Sequence, residues 1–336
     1  MRVKHAIPVL VKRYLNPQVR KRAMFMLGGA GVGKSEIVFQ ASDILGTNVP
    51  NWNGVTDLRL SQMEPTDLRG IPAVDMARKV AEWFRFDLLP QDGAGIIFLD
   101  ELTSAPAMLQ AAAYQLVLTP QDFGVPDTYM IVAAGNRQSD RGVTYTMASP
   151  LINRFNYLSI ENPLDEWLEY AVKKDVRLEV TSFLKTRPDL LNKPIVTGEP
   201  GQFPSHRSWF AVNDSLELEL PDAVRTEIFC GDVGEEAGTA FEAHCRVADR
   251  MPDIRDILDG KDVAVPDELD MVYCIAMGLA AQIDKDNFVN AWSYLKQCPG
   301  DVGTLTVKLA YKRDKDIAHS PAYVEWAHKN RKAFEA

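Results

Sequence analysis

The chain has 336 residues, 46% hydrophobic and 25% charged, enough for two domains with well-filled cores. Its formal net charge of −9 argues against a molecule-wide nucleic-acid surface. It leaves only a local basic run, Lys12, Arg13, Arg20, Lys21 and Arg22, which reads as solvated surface. The apolar run Ala6–Val11 is broken by Pro8 and is too short for a signal segment. No stretch approaches the roughly 18 apolar residues that span a bilayer. The cysteines, Cys230, Cys245, Cys274 and Cys298, are widely spaced with no Cys-x-x-Cys pair, so they read as buried thiols of a reducing cytosol. His244 beside Cys245 is the one near pair, and helix neighbours point apart. A cytoplasmic protein with no membrane association is expected.

The first half alternates apolar runs with amphipathic segments, the mark of a layered parallel sheet. Ala23–Leu27 reads as a buried strand running into Gly28-Gly29-Ala30-Gly31-Val32-Gly33-Lys34-Ser35. Ser35–Leu45 follows as a helix with Ile37, Val38 and Ala41 on one face. Gly-x-x-x-x-Gly-Lys-Ser between strand and helix is a phosphate-binding loop. Its backbone N–H groups and the helix N-terminus cradle a β-phosphate. Lys34 places charge on the β- and γ-phosphates, and the Ser35 hydroxyl ligates Mg²⁺. ATP and Mg²⁺ are the expected ligands.

Asp57–Leu60 is a short strand candidate, and Lys79–Phe86 alternates as a hairpin within a surplus segment, residues 70–88. Gly95–Leu99 is a near-continuous apolar run typical of a central parallel strand. Phe98-Leu99-Asp100-Glu101 then sets two carboxylates at the carboxyl end of the sheet, where ligands of open α/β sheets bind. Asp100 is assigned to the Mg²⁺ shell and Glu101 to polarising the attacking water. A helix opens at Ser104 and Pro106 and runs to Leu118, and residues 119–127 form a turn-rich loop.

Tyr129–Ala134 leads to Gly135-Asn136, whose amide can orient the lytic water. Tyr157–Ile160 is the last strand. Before it, Leu151-Ile152-Asn153-Arg154-Phe155 carries an arginine that cannot easily reach its own phosphate across the sheet, so Arg154 is expected to act on a neighbouring subunit. From Pro163 the pattern is helical only, with segments at 164–173, 176–186, 206–219, 222–229, 234–250, 267–283 and 287–297. Arg207, in Pro204-Ser205-His206-Arg207-Ser208-Trp209, starts a helix of this part and can bring it onto the phosphates.

In this order the elements resemble the AAA+ ATPases, and within them the MoxR-like group of helix-2-insert proteins. The resemblance rests on Arg59-Leu60-Ser61-Gln62 with Pro65-Thr66-Asp67-Leu68-Arg69-Gly70-Ile71-Pro72, on Leu99-Asp100-Glu101-Leu102-Thr103-Ser104-Ala105-Pro106, and on Ala133-Ala134-Gly135-Asn136-Arg137. It covers residues 20–162 well and the helical part less sharply. It implies a Walker A loop at 28–35, Walker B at Asp100 and Glu101, sensor 1 at Asn136, an arginine finger at Arg154 and sensor 2 at Arg207. Whether Arg207 acts in its own subunit or a neighbour stays open. It also implies that 70–88 is the inserted hairpin and 119–127 the pre-sensor loop.

Beyond the chain, the resemblance implies a homo-oligomeric ring, usually a hexamer, with ATP between subunits. It implies a chaperone-like motor that remodels or activates a protein partner, often one carrying a von Willebrand A domain. Ala30 stands where many members have proline. The segment from about 225 onward, with Gly231–Glu236, extends beyond a minimal lid.

The expected architecture is therefore an α/β P-loop AAA+ core, a parallel five-stranded sheet between helices, over 1–190. An all-helical lid domain with a C-terminal extension follows over 200–336, the boundary falling in Pro194–Pro204. Two other functions fit the same residues: a nucleic-acid-associated motor or loader, which the acidic balance disfavours, and a nucleotide-gated scaffold with slow turnover.

Overall fold

The computed structural model describes residues 1–84, 86–137, 145, 147, 152–194, 201–218, 220–299 and 301–330. The chain divides into two compact units, Met1–Asn162 and Pro163–Ala336. In the first unit the strands are β1 (Met24–Leu27), β2 (Trp52–Arg59), β3 (Ile71–Asp75), β4 (Val80–Phe84), β5 (Ala94–Asp100), β6 (Tyr129–Gly135) and β7 (Asn156–Ser159). Five of them form one sheet in the order β2-β5-β6-β1-β7, every pairing parallel. The helices are α1 (Val3–Leu15), α2 (Pro17–Arg20), α3 (Lys34–Gly46), α4 (Pro65–Arg69) and α5 (Ala107–Leu118).

Period-2 alternation sends successive strand residues to opposite faces, and each face has its own core. Met24, Met26, Ile96, Phe98, Met130 and Val132 pack with Ala6 and Leu10 of α1 and Ile37, Val38 and Ala41 of α3. Phe25, Ile97, Leu99, Ile131 and Ala133 pack with Leu109, Ala112, Ala113 and Leu116 of α5. A sheet clothed on both faces explains why β5 and β6 read as continuous apolar runs. This is the expected α/β architecture, a parallel five-stranded sheet between helices, and among the described residues of the unit that follows there are helices but no strand.

Three details of the first unit go beyond the sequence reading. α1 forms across Pro8, whose side is exposed, because Ala6, Leu10 and Tyr14 recur every four residues and bury fully. β2 starts at Trp52, five residues before the expected Asp57. The 119–127 loop is not a free excursion: its Pro120–Phe123 turn buries Phe123, and Val125 joins the α5-side core. β3 and β4 form the anticipated separate antiparallel hairpin.

The second unit holds α6 (Leu164–Lys173), α7 (Leu178–Thr186), α8 (Ser208–Ser215), α9 (Asp222–Val233), α10 (Glu235–Ala248), α11 (Ile254–Leu258), α12 (Leu269–Gln282), α13 (Phe288–Leu295), α14 (Val302–Arg313) and α15 (Pro321–Lys329). The division at Asn162 and Pro163 lies well before the expected break at Pro194–Pro204, of which 195–200 fall outside the described residues. The reason is packing. Trp167, Leu168 and Ala171 of α6 and Val180 and Phe183 of α7 share one buried cluster with Trp209, Phe229 and Phe241. Full burial of such side chains contributes about 2 kcal/mol apiece, so these helices belong with the second unit.

α12 is apolar around its whole circumference, since it serves two cores. Val272, Ala276 and Met277 face the first, and Ile275 and Leu279 the second with Phe288, Ala291 and Trp326. A polar knot joins α7, α10 and α12. Ser182 Oγ lies 2.8 Å from His244 Nε2, and Cys274 Sγ lies 3.3 Å from Ser182 Oγ and 3.4 Å from His244 Nε2. Asp270 Oδ2 stands 3.7 Å from His244 Nδ1. The partner of His244 is thus Cys274, not the adjacent Cys245, which faces the first core.

The atoms follow the order of a serine–histidine–carboxylate relay, yet the chemistry is structural. Ser182 and Cys274 have no exposed surface, and Ser182 Oγ also approaches Leu178 O at 2.6 Å. Burial pushes the Cys274 thiol up to about 11 and holds His244 below the ordinary histidine range, against the opposing pull of Asp270 and Glu179.

A neutral buried imidazole makes stability pH-dependent with a definite sign. Below about pH 6.5 the unfolded chain protonates His244 while the folded chain resists. Stability is therefore full above that value and falls as the pH drops toward the folded pKa. Chemical denaturation of the full chain between pH 8 and 5 should show this loss, and His244→Gln should flatten it.

Candidate functional site

Of the residues singled out by sequence, Gly28–Ser35, Asp100, Glu101 and Asn136 come together at the carboxyl end of the sheet in the first unit. β1 ends at Leu27 and the loop Gly28–Gly33 leads into α3. Gly31 and Gly33 adopt φ of +72° and +98°, a region that costs a side-chain-bearing residue about 1–2 kcal/mol. Val32 is buried and packs with Ile160 in the core beneath, which anchors the middle of the loop. Ala30 is exposed and does not need the left-handed region. The first N–H groups of α3 have no acceptor within their own helix and open toward the loop.

Lys34 is buried to 9% exposure. Its Nζ donates to Gly28 O and Gly29 O, each at 2.8 Å, and to Asn136 Oδ1 at 2.9 Å. Ser35 Oγ donates to Asp100 Oδ2 at 3.0 Å, joining α3 to the tip of β5. Asn136 is fixed from its other side, because its N–H donates to Thr103 Oγ1 at 3.0 Å. Gly135 is required there: a Cβ would lie 2.6 Å from the Thr103 side chain. β6 can approach the Leu102–Ser104 turn only at a glycine.

Glu101 leaves the strand with φ +57°, a left-handed conformation that costs a non-glycine residue about 1–3 kcal/mol. Asp100 Oδ1 accepts the Glu101 N–H at 2.8 Å, compensating part of that strain. The turn exposes the Glu101 side chain, and Ser61 Oγ donates to its carboxylate. Asp57, on β2 beside β5, adds a further carboxyl. Burial raises its pKa and repulsion from Asp100 raises it further, while Arg59 opposes both.

The donor set suits a divalent cation of the Mg²⁺ kind. Ser35 Oγ and Asp100 Oδ2 are hard oxygen donors already within 3.0 Å of each other, and Asp57 deepens the negative field. When bound, such a cation neutralises phosphate charge. Among the described residues no cluster of three or more His, Cys, Asp or Glu side chains could hold a metal ion by itself.

Arg154 stands apart from this group. It precedes β7, the sheet's edge strand, and so lies at the amino end while the loop lies at the carboxyl end. The four residues of β7 span about 13 Å. Arg154 is exposed, and its segment is anchored by Phe155, buried against Phe25 at 5.4 Å between ring centroids. Pro150 and Leu151 of that motif lie outside the described residues. Arg207 belongs to the second unit, exposed immediately before α8. The basic run near the N-terminus is largely committed. Lys21 pairs with Asp127 at 3.0 Å, Arg13 Nη2 donates to Arg22 O at 3.0 Å, and Arg20 lies 5.1 Å over the Tyr14 ring.

No protein-family model and no curated protein matches the chain. Among solved structures the chain is similar to a candidate ATPase of Cytophaga hutchinsonii, at 15% identity over 81% of this chain and 83% of that one, with a TM-score of 0.32. It is also similar to PCH-2 of C. elegans, at 11% identity over 71% and 65% with a TM-score of 0.34. A third is RuvB of Thermotoga maritima, at 15% identity over 93% and 86% with a TM-score of 0.34. These are distant likenesses of fold, so function is argued from this chain's own geometry. No helix among the described residues is long and apolar enough to cross a membrane.

Lys34→Ala tests the centre of the site. It strips a donor from three acceptors, a loss of about 1–3 kcal/mol, so chemical denaturation of the nucleotide-free chain should show reduced stability. Added Mg·ATP should stabilise the wild type by mass action and leave the variant unchanged.

Proposed function

We propose that this chain is a Mg²⁺-dependent ATPase of AAA+ type, MoxR-like, working in a homo-oligomeric ring as a chaperone-like motor on a protein partner. The observation that carries the reading is the junction of Lys34 with Asn136 and of Ser35 with Asp100. It sets a buried ammonium, a hydroxyl, a carboxylate and an amide around one helix N-terminus. That is the equipment phosphoryl transfer needs, positioning and charge rather than covalent chemistry.

In this reading Gly28–Ser35 bind the phosphates, Ser35 and Asp100 hold the cation, and Glu101 takes a proton from the attacking water. Asn136 orients that water while touching Lys34. Ser61 donates to one oxygen of the Glu101 carboxylate from the β2 side, which orients the group and leaves its second oxygen to take the proton. The position of Arg154 at the opposite end of the edge strand favours action in a neighbour's site, which makes the ring part of the chemistry. Arg207 is proposed to respond to the phosphates from the second unit.

Two further observations support a protein partner over nucleic acid. The β3–β4 hairpin is exposed along both strands, with Val74, Met76, Trp83 and Phe84 each more than half exposed. Isolated two-stranded hairpins are marginal in water, and apolar surface of this kind fits a protein contact. Within the basic run, Lys21, Arg13 and Arg20 already make contacts inside the fold.

Glu101→Gln should bind ATP and assemble while turnover falls by at least about 100-fold. Turnover near the wild-type rate removes Glu101 from the role of base. Arg154→Ala should be inactive alone and regain activity when mixed with Lys34→Ala subunits, because each protein supplies the half the other lacks. Turnover stimulated by DNA or RNA with steep salt dependence would favour a nucleic-acid motor. A slow turnover number with ATP-dependent assembly would favour the scaffold.

A further inference from the structure

The nucleotide reading leaves Arg137 without a role, yet its side chain makes one of the longest-reaching contacts at the mouth of the sheet. Leu27, the last residue of β1, pairs with Gly135 of β6 on one side and with Ser159 of β7 on the other. Arg137 lies two residues beyond Gly135. Its Nη2 nevertheless donates to Ser159 Oγ at 2.8 Å and approaches Ile160 O at 3.5 Å. Strands on either side of a shared neighbour lie about 10 Å apart, so the side chain crosses the carboxyl end of β1 where the phosphate loop begins.

The backbone beneath it is tightly laced. Gly28 N–H donates to Gly135 O at 3.3 Å, and Ile160 N–H donates to Leu27 O at 2.7 Å. A Cβ on Gly28 would lie 3.0 Å from Ile160 O, so the strap runs over a strand end with no spare space. The residue adjoining Arg137 is Asn136, whose Oδ1 meets Lys34 and whose N–H meets Thr103. The amide is thus held by the P-loop lysine, by the turn after Glu101, and through the next residue by β7.

We infer that Arg137 is a positioning residue, a guanidinium strap from β6 over β1 to β7 that fixes the Asn136 amide for catalysis. The inference rests on the nucleotide reading above. A guanidinium suits this role, because the two N–H groups of Nη2 can address both acceptors while the side chain stays charged. The strap acts on geometry, so its removal leaves nucleotide binding intact and slows the chemical step.

The test measures steady-state turnover, ATP affinity and thermal stability for Arg137→Ala, Arg137→Lys, Ser159→Ala and the double variant, with Lys34→Ala as control. Arg137→Ala should lower kcat about tenfold with ATP affinity held within about twofold. Arg137→Lys should recover part of the loss. Ser159→Ala removes only the strap's acceptor and should give a smaller fall in kcat, and the double variant should be no slower than Arg137→Ala, as expected for two ends of one contact.

An ATP affinity that falls with Arg137→Ala makes the group a phosphate ligand and overturns the strap. Singles whose losses multiply, or an unchanged kcat, overturn it as well. Should Arg137→Ala fail to fold, Ser159→Ala decides: unchanged kcat there overturns the proposal. Turnover that needs Lys34 but ignores Arg137 refutes the strap alone, whereas turnover indifferent to Lys34→Ala refutes the nucleotide reading and the strap with it.

Discussion

One buried cation organises the first unit. A lysine ammonium removed from water is costly unless its donors are matched, and Lys34 is matched by two loop carbonyls and one side-chain amide. Those acceptors belong to different parts of the fold: Gly28 and Gly29 follow β1, and Asn136 follows β6. The contact exists because β6 lies directly beside β1 in the sheet order. Ser35, one residue on, extends the same helix start to Asp100 at the tip of β5. A single helix N-terminus therefore gathers three adjacent strand ends. The glycines at 28, 31, 33 and 135 are the positions where the backbone must come close enough, or turn left-handed enough, for this to happen.

Much of this was legible in the sequence, because Lys34 and Ser35 close a Gly-x-x-x-x-Gly-Lys-Ser spacing and Asp100, Glu101 and Asn136 follow unbroken apolar runs. A buried parallel strand announces itself by such a run, and a lone polar residue at its end is hard to explain by packing. Asp100, Glu101 and Asn136 stood out for that reason, and Lys34 and Ser35 by the motif. Ser61, Thr103 and Arg137 did not. Their meaning depends on register: β2 pairs with β5 so that Arg59 lies opposite Asp100, which brings Ser61 to Glu101. No spacing along the chain encodes that pairing. α1 was missed because Pro8 reads as a breaker, and the Ala6, Leu10, Tyr14 stripe outweighs it. The early part of β2 was missed because Asn53, Gly54 and Thr56 dilute its apolar character.

The domain boundary illustrates a different limit. Composition pointed to the glycine- and proline-rich stretch at 194–204, since such residues commonly mark linkers. Packing decided otherwise. Trp167 Nε1 donates to His206 O at 3.2 Å and Trp209 Nε1 to Leu190 O at 2.9 Å, so chain on both sides of that stretch is stitched into one core. Glu242, nearly fully buried, adds a second stitch by accepting Arg225 through both carboxylate oxygens at 2.8 and 2.9 Å. Breaking one side of such a pair is far more damaging than its net contribution suggests. The second unit is therefore a single object built around two cores that share α12 and α14.

The placement of β7 carries a consequence for how a ring of such subunits would be coupled. This edge strand has four residues. One end follows Arg154, exposed at the amino side of the sheet, and the other carries Ser159, the acceptor of Arg137. Through Arg137 that second end is linked to Asn136, and through Asn136 to Lys34. Four residues paired with β1 and anchored by Phe155 against Phe25 join these two ends. In the proposed ring, the strand that follows Arg154 is therefore the one that Arg137 ties to the phosphate site. Only about 13 Å of paired backbone separates the arginine proposed for the neighbour from the contact that bears on Asn136.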